Sequence, residues 1–351
     1  MNDVTPIPTE SPFLIVGVGS SGSTLLSVIL DRHPLIACGP ELSVFNKLRI
    51  YGDFKKFRRM LPLWLERGLS TDGLAEYREF FFNSDAYFWT KTELFSLAKD
   101  STDHRDFFDR FFTHYLEKRK KFIWGEKTGT NAYCIPEFLN LYPQARIIHI
   151  TRDGRDMVCS MMGRPGNTAY HCVSHWLYDV SAAIAFRNEP GYLEVRYEDL
   201  VMNPTSQLER ICDHIGVEFE RKMMLPNPDV YWKRFSKGNV HDSWTENPLS
   251  GKISTGSIGR YRKELTEDIE ILFWQTRLTA LGKKRLKVKH HSTIDLMKTL
   301  GYLKQEPSID NRVSLKHYQT AINEIWSRLK REFFLEHRLI LPLLWIWIKP
   351  W

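Results

Sequence analysis

The chain has 351 residues, 42% of them hydrophobic and 26% charged, which is enough apolar material for one large α/β domain or at most two domains. Lys and Arg total 49 against 42 Asp and Glu, and the net charge of +7 favours a polyanionic nucleotide, an acidic peptide or an acidic glycan as partner. Nucleic acid is not the expected partner, because the basic runs at 55–59, 118–121 and 283–287 lie in no recognised nucleic-acid-binding motif.

Apolar runs with the character of β-strands alternate with helical stretches along the chain. The runs lie at 13–18, 122–124, 146–150 and 192–197. Such alternation predicts an α/β fold, in which a parallel sheet of the phosphate-loop type is flanked by helices. Residues 42–121 are predicted to form a helical insertion rich in aromatic side chains. An insertion of this length is either a cap that binds substrate, which we favour, or part of the core.

The first apolar run leads into a glycine-rich turn and then an amphipathic helix. Gly17, Gly22, Ser23 and Thr24 match the phosphate-loop spacing G-x-x-x-x-G-K-[ST], except that Ser23 stands in place of the lysine. Glycines let backbone N–H groups point inward, and the helix N-terminus adds its positive dipole end, so the turn is predicted to bind an anion. Without the lysine, it suits a sulfate ester or a 5′-phosphosulfate better than the terminal phosphates of ATP. The alternative is an ordinary strand–turn–helix corner.

A second motif follows the apolar run at 146–150. The end of this strand delivers Arg152 to the sheet edge at which α/β proteins bind ligands. Either Asp153 or Asp156 is expected to cap the next helix. Ser160 lies about two helical turns beyond Arg152, so that a guanidinium and a hydroxyl can converge on one phosphate. The alternative is a surface cluster of salt bridges.

Together, the two motifs resemble the sulfotransferases that use 3′-phosphoadenosine 5′-phosphosulfate (PAPS). In that family the first loop binds the 5′-phosphosulfate, and an Arg-Asp-x-Arg-Asp-x-x-x-Ser segment binds the 3′-phosphate through its first Arg and its Ser. The resemblance implies PAPS as the donor, with no metal required. It also implies a donor site formed by Ser20, Ser21, Gly22, Ser23, Thr24, Arg152 and Ser160.

Within the family, the chain most resembles the protein-tyrosine sulfotransferase branch, which has Leu-Asp-x-His-Pro and Cys-Gly-x-Glu runs after the loop. This sequence has both runs, at 30–34 and 38–41. The resemblance implies that Glu41 is the general base and that Lys127 steadies the leaving phosphosulfate oxygen. It further implies nucleotide contacts at four more positions, namely Arg164, Tyr197, Ser257 and Arg260. The chain departs from the family at Ser20, where the family carries Arg or Lys.

The predicted function is sulfuryl transfer from PAPS to a hydroxyl or amine acceptor by in-line displacement. The reaction needs positioning and electrostatic stabilisation, together with a carboxylate that takes the proton of the acceptor. The acceptor is a peptide tyrosine, a glycan or another hydroxyl compound. One alternative is a small-molecule kinase, which the missing lysine and the lack of a clear Mg²⁺ aspartate disfavour. The other is a non-catalytic nucleotide-binding or membrane-associated protein of the same fold.

The five cysteines are scattered, with no Cys-x-x-Cys pair, and indicate structural thiols in a reducing compartment. The N-terminal 11 residues lack the basic and apolar regions of a signal peptide, so the expected location is cytoplasmic. His171, Cys172 and His175 have helical spacing, but we found no carboxylate partner in register. Packing or acceptor contacts are therefore expected there, and no metal site.

Residues 1–306 are predicted to form the sulfotransferase domain, and 307–351 a helical tail that is amphipathic and then apolar. Within the domain, 227–256 reads as a loop that leads to the cofactor-closing segment, with His241 as a candidate acceptor contact. The apolar end of the tail is too short, and too interrupted by proline, to span a bilayer. Three alternatives stay open for residues 339–351: contact with a membrane interface, packing on the domain, or packing on a second subunit in a homodimer.

Overall fold

The computed structural model describes residues 11–42, 44–45, 53–66, 84–164, 167–225, 250, 252–305, 307, 319 and 322. Residues 227–249 and 251 of the predicted loop, with His241, lie outside these ranges, as do all but three residues of the tail. Four expectations therefore stay predictions: the division into a domain and a tail, the tail's contacts, the homodimer and the cytoplasmic location. Among the helices of the described ranges, none combines the length and the apolar character needed to cross a membrane.

Five parallel strands form one sheet, as the alternating pattern predicted. They are β1 (Phe13–Val16), β2 (Ile36–Cys38), β3 (Ile123–Lys127), β4 (Arg146–Thr151) and β5 (Tyr192–Arg196), in the order β2-β3-β1-β4-β5. The α/β fold is thus confirmed, and all four predicted strands are present with shifted ends. Strand β2 was not predicted, because three apolar residues define no periodicity.

Helices connect and cover the strands in the described ranges. In chain order they are α1 (Ser23–Asp31), α2 (Phe54–Glu66), α3 (Lys91–Asp100), α4 (His104–Arg119), α5 (Ile135–Leu141), α6 (Gly154–Met162), α7 (Ala169–Ile184), α8 (Tyr197–Met202), α9 (Pro204–Ile215), α10 (Tyr261–Glu264), α11 (Glu267–Gln275), α12 (Ala280–Leu286) and α13 (Thr293–Thr299). Short 3₁₀ segments lie at Asp85–Tyr87, Gly129–Cys134 and Arg221–Met224. The described part of the insertion is helical, as predicted.

The described aromatic residues of the insertion lie in the core or pack against it. Helix α4 buries the phenylalanines on one of its faces, and Phe112 stacks on Trp124 of β3 with ring centroids 3.7 Å apart. Tyr87 is fully buried and packs in the same cluster. Because these rings cover one face of the sheet, their contribution is to stability. For this part of the insertion the packing supports the core alternative, and a role as a cap stays a prediction.

The carboxyl ends of the three central strands place the two motifs side by side. Strand β1 lies between β3 and β4, with Ile15 opposite Lys127 and Val16 opposite His149. The loop after β1 is therefore flanked by the end of β3 on one side and the end of β4 on the other. In parallel sheets this edge, where the strand order reverses, is the usual place for a ligand.

Candidate functional site

The loop after β1 turns sharply against the sheet edge, and its glycines make that turn sterically allowed. A Cβ at Gly17 would lie 2.5 Å from the carbonyl oxygen of Ile150. Gly22 has a φ of +97°, and a Cβ there would lie 2.5 Å from Cδ2 of Tyr197. Ser20 also adopts a left-handed conformation, with a φ of 67°. The loop thus brings the backbone close to its neighbours before α1 begins.

Helix α1 starts at Ser23 with an N-terminus suited to an anion. Gly22 is the N-cap, no side chain accepts a hydrogen bond from the first turn, and that turn has no acidic residue. The first N–H groups are thus left for another acceptor, and the helix dipole adds positive potential. The Ser21 hydroxyl oxygen is buried and has no hydrogen-bond partner among the described residues. These features fit a phosphosulfate group at the predicted loop.

The structure brings Glu41 and Lys127 together beside this loop. The Lys127 ammonium contacts Oε1 of Glu41 and donates a hydrogen bond to Oγ1 of Thr24 at 3.2 Å. The Lys127 side chain is 4% exposed and that of Glu41 is 33% exposed. The lysine is therefore held inside the site, while the carboxylate remains accessible to a substrate from solvent.

Arg152 lies on the opposite side of the loop. Its Nη1 donates to the carbonyl oxygen of Ser20 at 3.0 Å, and its Nη2 donates to that of Ser257. The guanidinium lies 4.7 Å from the centre of the Tyr197 ring, which supports it by a cation–π contact. Arg152 is only 4% exposed, and its Nε has no hydrogen-bond partner among the described residues. Ser160 lies on α6, partly buried.

Asp156 fixes the segment from Ser257 to Tyr261 to α6, whereas Asp153 caps that helix. Asp153 caps α6 by accepting from the Arg155 N–H at 2.9 Å, which settles the choice of cap. Asp156 instead accepts from the backbone N–H groups of Gly259 at 2.6 Å and Tyr261 at 2.9 Å.

Arg260 belongs to the same segment but is directed to a different partner. Its guanidinium makes two hydrogen bonds of 2.8 Å to Glu264, with both side chains well exposed. The structure therefore brings Ser257 to Arg152 but does not bring Arg260 to the loop. A nucleotide contact from Arg260 stays a prediction, and it would have to compete with this surface ion pair.

Arg164, just beyond α6, reaches the loop from a third direction. Its Nη2 donates to the Ser20 hydroxyl at 2.7 Å, and its Nη1 is 3.8 Å from where a Cβ of Gly19 would lie. It also interacts electrostatically with Glu41, while burial lowers the pKa of its guanidinium. Arg164 therefore contacts the tip of the loop and lies within electrostatic range of the candidate base.

Glu126 is a residue of this region that the sequence reasoning missed. Its carboxylate is fully buried and accepts from the Leu42 N–H at 3.0 Å, from the Thr128 hydroxyl and from the Asn131 amide. It thereby ties the backbone next to Glu41 to the strand that carries Lys127. Glu126 and Lys127 form a pair of charged residues at the end of the apolar strand β3, and this pair was the signal in the sequence that could have pointed to Glu126. Burial raises the pKa of Glu126 to about 7.

This raised pKa predicts a pH dependence of stability that Glu126→Gln should remove. The unfolded state ionises Glu126 near its ordinary value of 4.5, whereas the folded state holds the proton up to about pH 7. The stabilising contribution is therefore fully present below the unfolded pKa and is lost as pH rises through this window, by about 1.4 kcal/mol per pH unit. In urea unfolding from pH 4.5 to 8, the unfolding free energy of wild type minus that of Glu126→Gln should fall as pH rises. The exposed Glu209→Gln is the matched control, and parallel curves for wild type and Glu126→Gln would contradict the assignment.

The His171–His175 pair corrects one sequence reading. A carboxylate is present in register, since Asp179 lies one helical turn after His175 on α7 and its Oδ2 is 3.2 Å from His175 Nδ1. The other Asp179 oxygen accepts from the Tyr133 hydroxyl at 2.6 Å, and Cys172 is buried in the core. Within the described residues, no group of three or more His, Cys, Asp or Glu is arranged to hold a metal ion. The two histidine rings lie against each other, and His175 pairs with Asp179, a carboxylate in register that the sequence reasoning missed.

Several known proteins are similar to this chain. Protein-tyrosine sulfotransferase A of Caenorhabditis elegans is 26% identical over 249 residues, which are 66% of this chain and 57% of that protein. Protein-tyrosine sulfotransferase 2 of Gallus gallus is 24% identical over 222 residues, 60% of this chain and 52% of that protein. The chain thus spans little more than half the length of these two relatives.

Among solved structures, the sulfotransferase domain of the Synechococcus PCC 7002 olefin synthase has a TM-score of 0.57 at 22% identity. The alignment covers 88% of this chain and 99% of that domain, so the fold is shared. Residues 12–221 match the profile of the Sulfotransferase family, a segment that holds the loop, Glu41, Lys127, Arg152 and Arg164. With more than half of its length matched by that profile, the chain belongs to the Sulfotransferase family.

Proposed function

We propose that this protein transfers the sulfuryl group of PAPS to a hydroxyl or amine acceptor. The observation that carries the proposal is the contact between a lysine-free phosphate loop and the buried Lys127, which pairs with the partly exposed Glu41. The loop supplies an anion site, and the pair supplies a cation and a base at its mouth. These are the elements that in-line sulfuryl transfer requires.

Each side chain has a distinct task in the proposed reaction. The N–H groups from Ser21 to Thr24 hold the phosphosulfate, and Lys127 donates a hydrogen bond to the bridging oxygen as its bond to sulfur breaks. Glu41 takes the proton of the acceptor hydroxyl as that oxygen attacks. An anion in the loop competes with Glu41 for Lys127, which releases the carboxylate towards the acceptor. Donor binding therefore prepares both groups for the reaction.

The acceptor to be tested first is a tyrosine in an acidic peptide. Two of the similar proteins are named protein-tyrosine sulfotransferases, and the net charge of +7 attracts an acidic segment. A glycan and other hydroxyl compounds are the alternative acceptors. The 33% exposure of Glu41 leaves room for a hydroxyl group carried by any of them to approach.

Calorimetric titration with 3′-phosphoadenosine 5′-phosphate (PAP), ADP and ATP with Mg²⁺ tests the donor class. We expect tight, metal-independent binding of PAP and weak binding of the other two. Transfer from radiolabelled PAPS to tyrosine peptides, glycans and small phenols then identifies the acceptor. Preference for ATP with Mg²⁺ would support the kinase alternative, and tight PAP binding without any transfer would support the non-catalytic one.

Arg152→Ala should weaken PAP selectively. The side chain is 4% exposed, and its loss removes a charged hydrogen-bond donor set for the 3′-phosphate. Hydrogen bonds to charged groups contribute about 1.5–3 kcal/mol, so the preference for PAP over 5′-AMP should fall by that amount. Calorimetry with both ligands measures it, and the exposed Arg110→Ala on α4 is the control. Equal weakening of PAP and AMP would refute the 3′-phosphate assignment.

A further inference from the structure

The phosphate loop carries no cation of its own. Residues 17–24 read Gly-Val-Gly-Ser-Ser-Gly-Ser-Thr. Sulfuryl transfer spreads negative charge over the sulfonate and bridging oxygens, and backbone N–H groups alone supply only partial charges. The full positive charges at this site must therefore come from side chains of other segments.

Two of the cations that contact the loop have other partners. Lys127 is paired with Glu41 and donates to Thr24, on the α1 side of the loop. Arg152 directs both of its terminal nitrogens to backbone carbonyls, one in the loop and one in the closing segment. Arg152 thus lies between the loop and the segment that covers the nucleotide, on the side where the 3′-phosphate is expected.

Arg164 has a different environment. Its guanidinium donates to the Ser20 hydroxyl at 2.7 Å, lies 3.8 Å from the Cβ position of Gly19 and interacts electrostatically with Glu41. It therefore lies at the tip of the loop, within electrostatic range of the candidate base. The donor's sulfuryl group must occupy this region for an acceptor deprotonated by Glu41 to reach it.

The backbone around Arg164 is anchored, so that the side chain approaches the loop from a fixed point. The Arg164 N–H donates to the carbonyl oxygen of Met161 at 3.0 Å, which continues the last turn of α6. The Asn167 side-chain amide donates to the same carbonyl at 2.9 Å. The charge is thus preorganised at the loop and does not have to be recruited during the reaction.

We propose that Arg164 supplies the charge that the loop lacks, and that it contacts the sulfuryl group under transfer and not the 3′-phosphate. The Ser20 hydroxyl orients the guanidinium, so that Ser20 and Arg164 act as one unit. This inference rests on the proposed function. It differs from the general nucleotide contact that the family resemblance implies for this arginine.

Three ligands separate the contributions of the 3′-phosphate and of the sulfuryl group to donor binding. PAP and 5′-AMP differ by the 3′-phosphate, and PAPS and PAP differ by the sulfuryl group. Calorimetry without acceptor measures both differences in affinity, which we call the 3′-phosphate increment and the sulfuryl increment. The proteins compared are wild type, Arg164→Ala, Arg152→Ala and the control Arg110→Ala. In Arg164→Ala we expect the sulfuryl increment to fall by about 10–150-fold, the range for one charged hydrogen-bond donor, with the 3′-phosphate increment unchanged. Arg152→Ala should show the reverse.

Turnover with PAPS provides the second readout. Arg164→Ala should lower kcat by about 10²–10³-fold, as for the loss of one charge-stabilising donor, and Ser20→Arg in that background should restore a large part of it. A reduced 3′-phosphate increment in Arg164→Ala, or a double variant no faster than Arg164→Ala, would overturn the assignment. Failure of the wild-type protein to bind PAP or PAPS would instead refute the proposed function, so the two failures are distinguishable.

Discussion

Glu41→Gln is expected to lower sulfuryl transfer by about 10²–10⁴-fold, the range for loss of a general base, while PAP binding stays close to wild type. The glutamine keeps the size of the side chain and can still accept a hydrogen bond from Lys127, but it cannot take a proton. Because the change removes no group that touches the anion cradle, the effect should appear in kcat. Initial rates with labelled PAPS, together with calorimetry of PAP, measure the two quantities.

A matched control is available for Glu41→Gln. Glu209 is an exposed glutamate on α9, and Glu209→Gln makes the same chemical change away from the loop contacts described above. Its activity should equal that of wild type. Wild-type turnover in Glu41→Gln would exclude Glu41 as the base. Equal losses of turnover and PAP affinity would show that the carboxylate acts mainly by holding Lys127 in place.

The central part of the fold could be predicted because its signals are local. A buried apolar run followed by glycines defined β1 and the start of α1, and two aspartates soon after a strand predicted a cap, which the structure assigns to Asp153. Arg152 was placed correctly because the carboxyl ends of parallel strands meet at one edge. Each of these inferences needs only neighbouring residues along the chain.

What the sequence did not reveal depends on contacts between distant segments. The role of Glu126 requires the segment at Leu42 to lie beside the end of β3, and no local pattern encodes that contact. The aromatic face of α4 has the same helical spacing whether it covers the sheet or binds a substrate, so only the structure shows that it is core. The Ser20–Arg164 contact joins residues 144 positions apart. By contrast, Asp179 stands four residues after His175 and was visible in the sequence.

Lys127→Met should lower kcat by about 10²–10³-fold, because it removes the cation that stabilises charge on the bridging oxygen. Methionine fills the mostly buried position of the lysine chain but donates no hydrogen bond, so Thr24 and Glu41 both lose a partner. Lys118→Met, at an exposed lysine on α4, is the matched control and should be fully active.

The double variant Glu41→Gln/Lys127→Met distinguishes a shared step from two independent ones. If the base and the cation act in one displacement, the double variant should be only slightly slower than the slower single variant, because residues that act as a unit lose their effect together. Multiplicative losses would indicate separate contributions to binding and chemistry. Near-wild-type turnover of Lys127→Met would indicate that the loop N–H groups and the two arginines beside them stabilise the leaving group instead of Lys127.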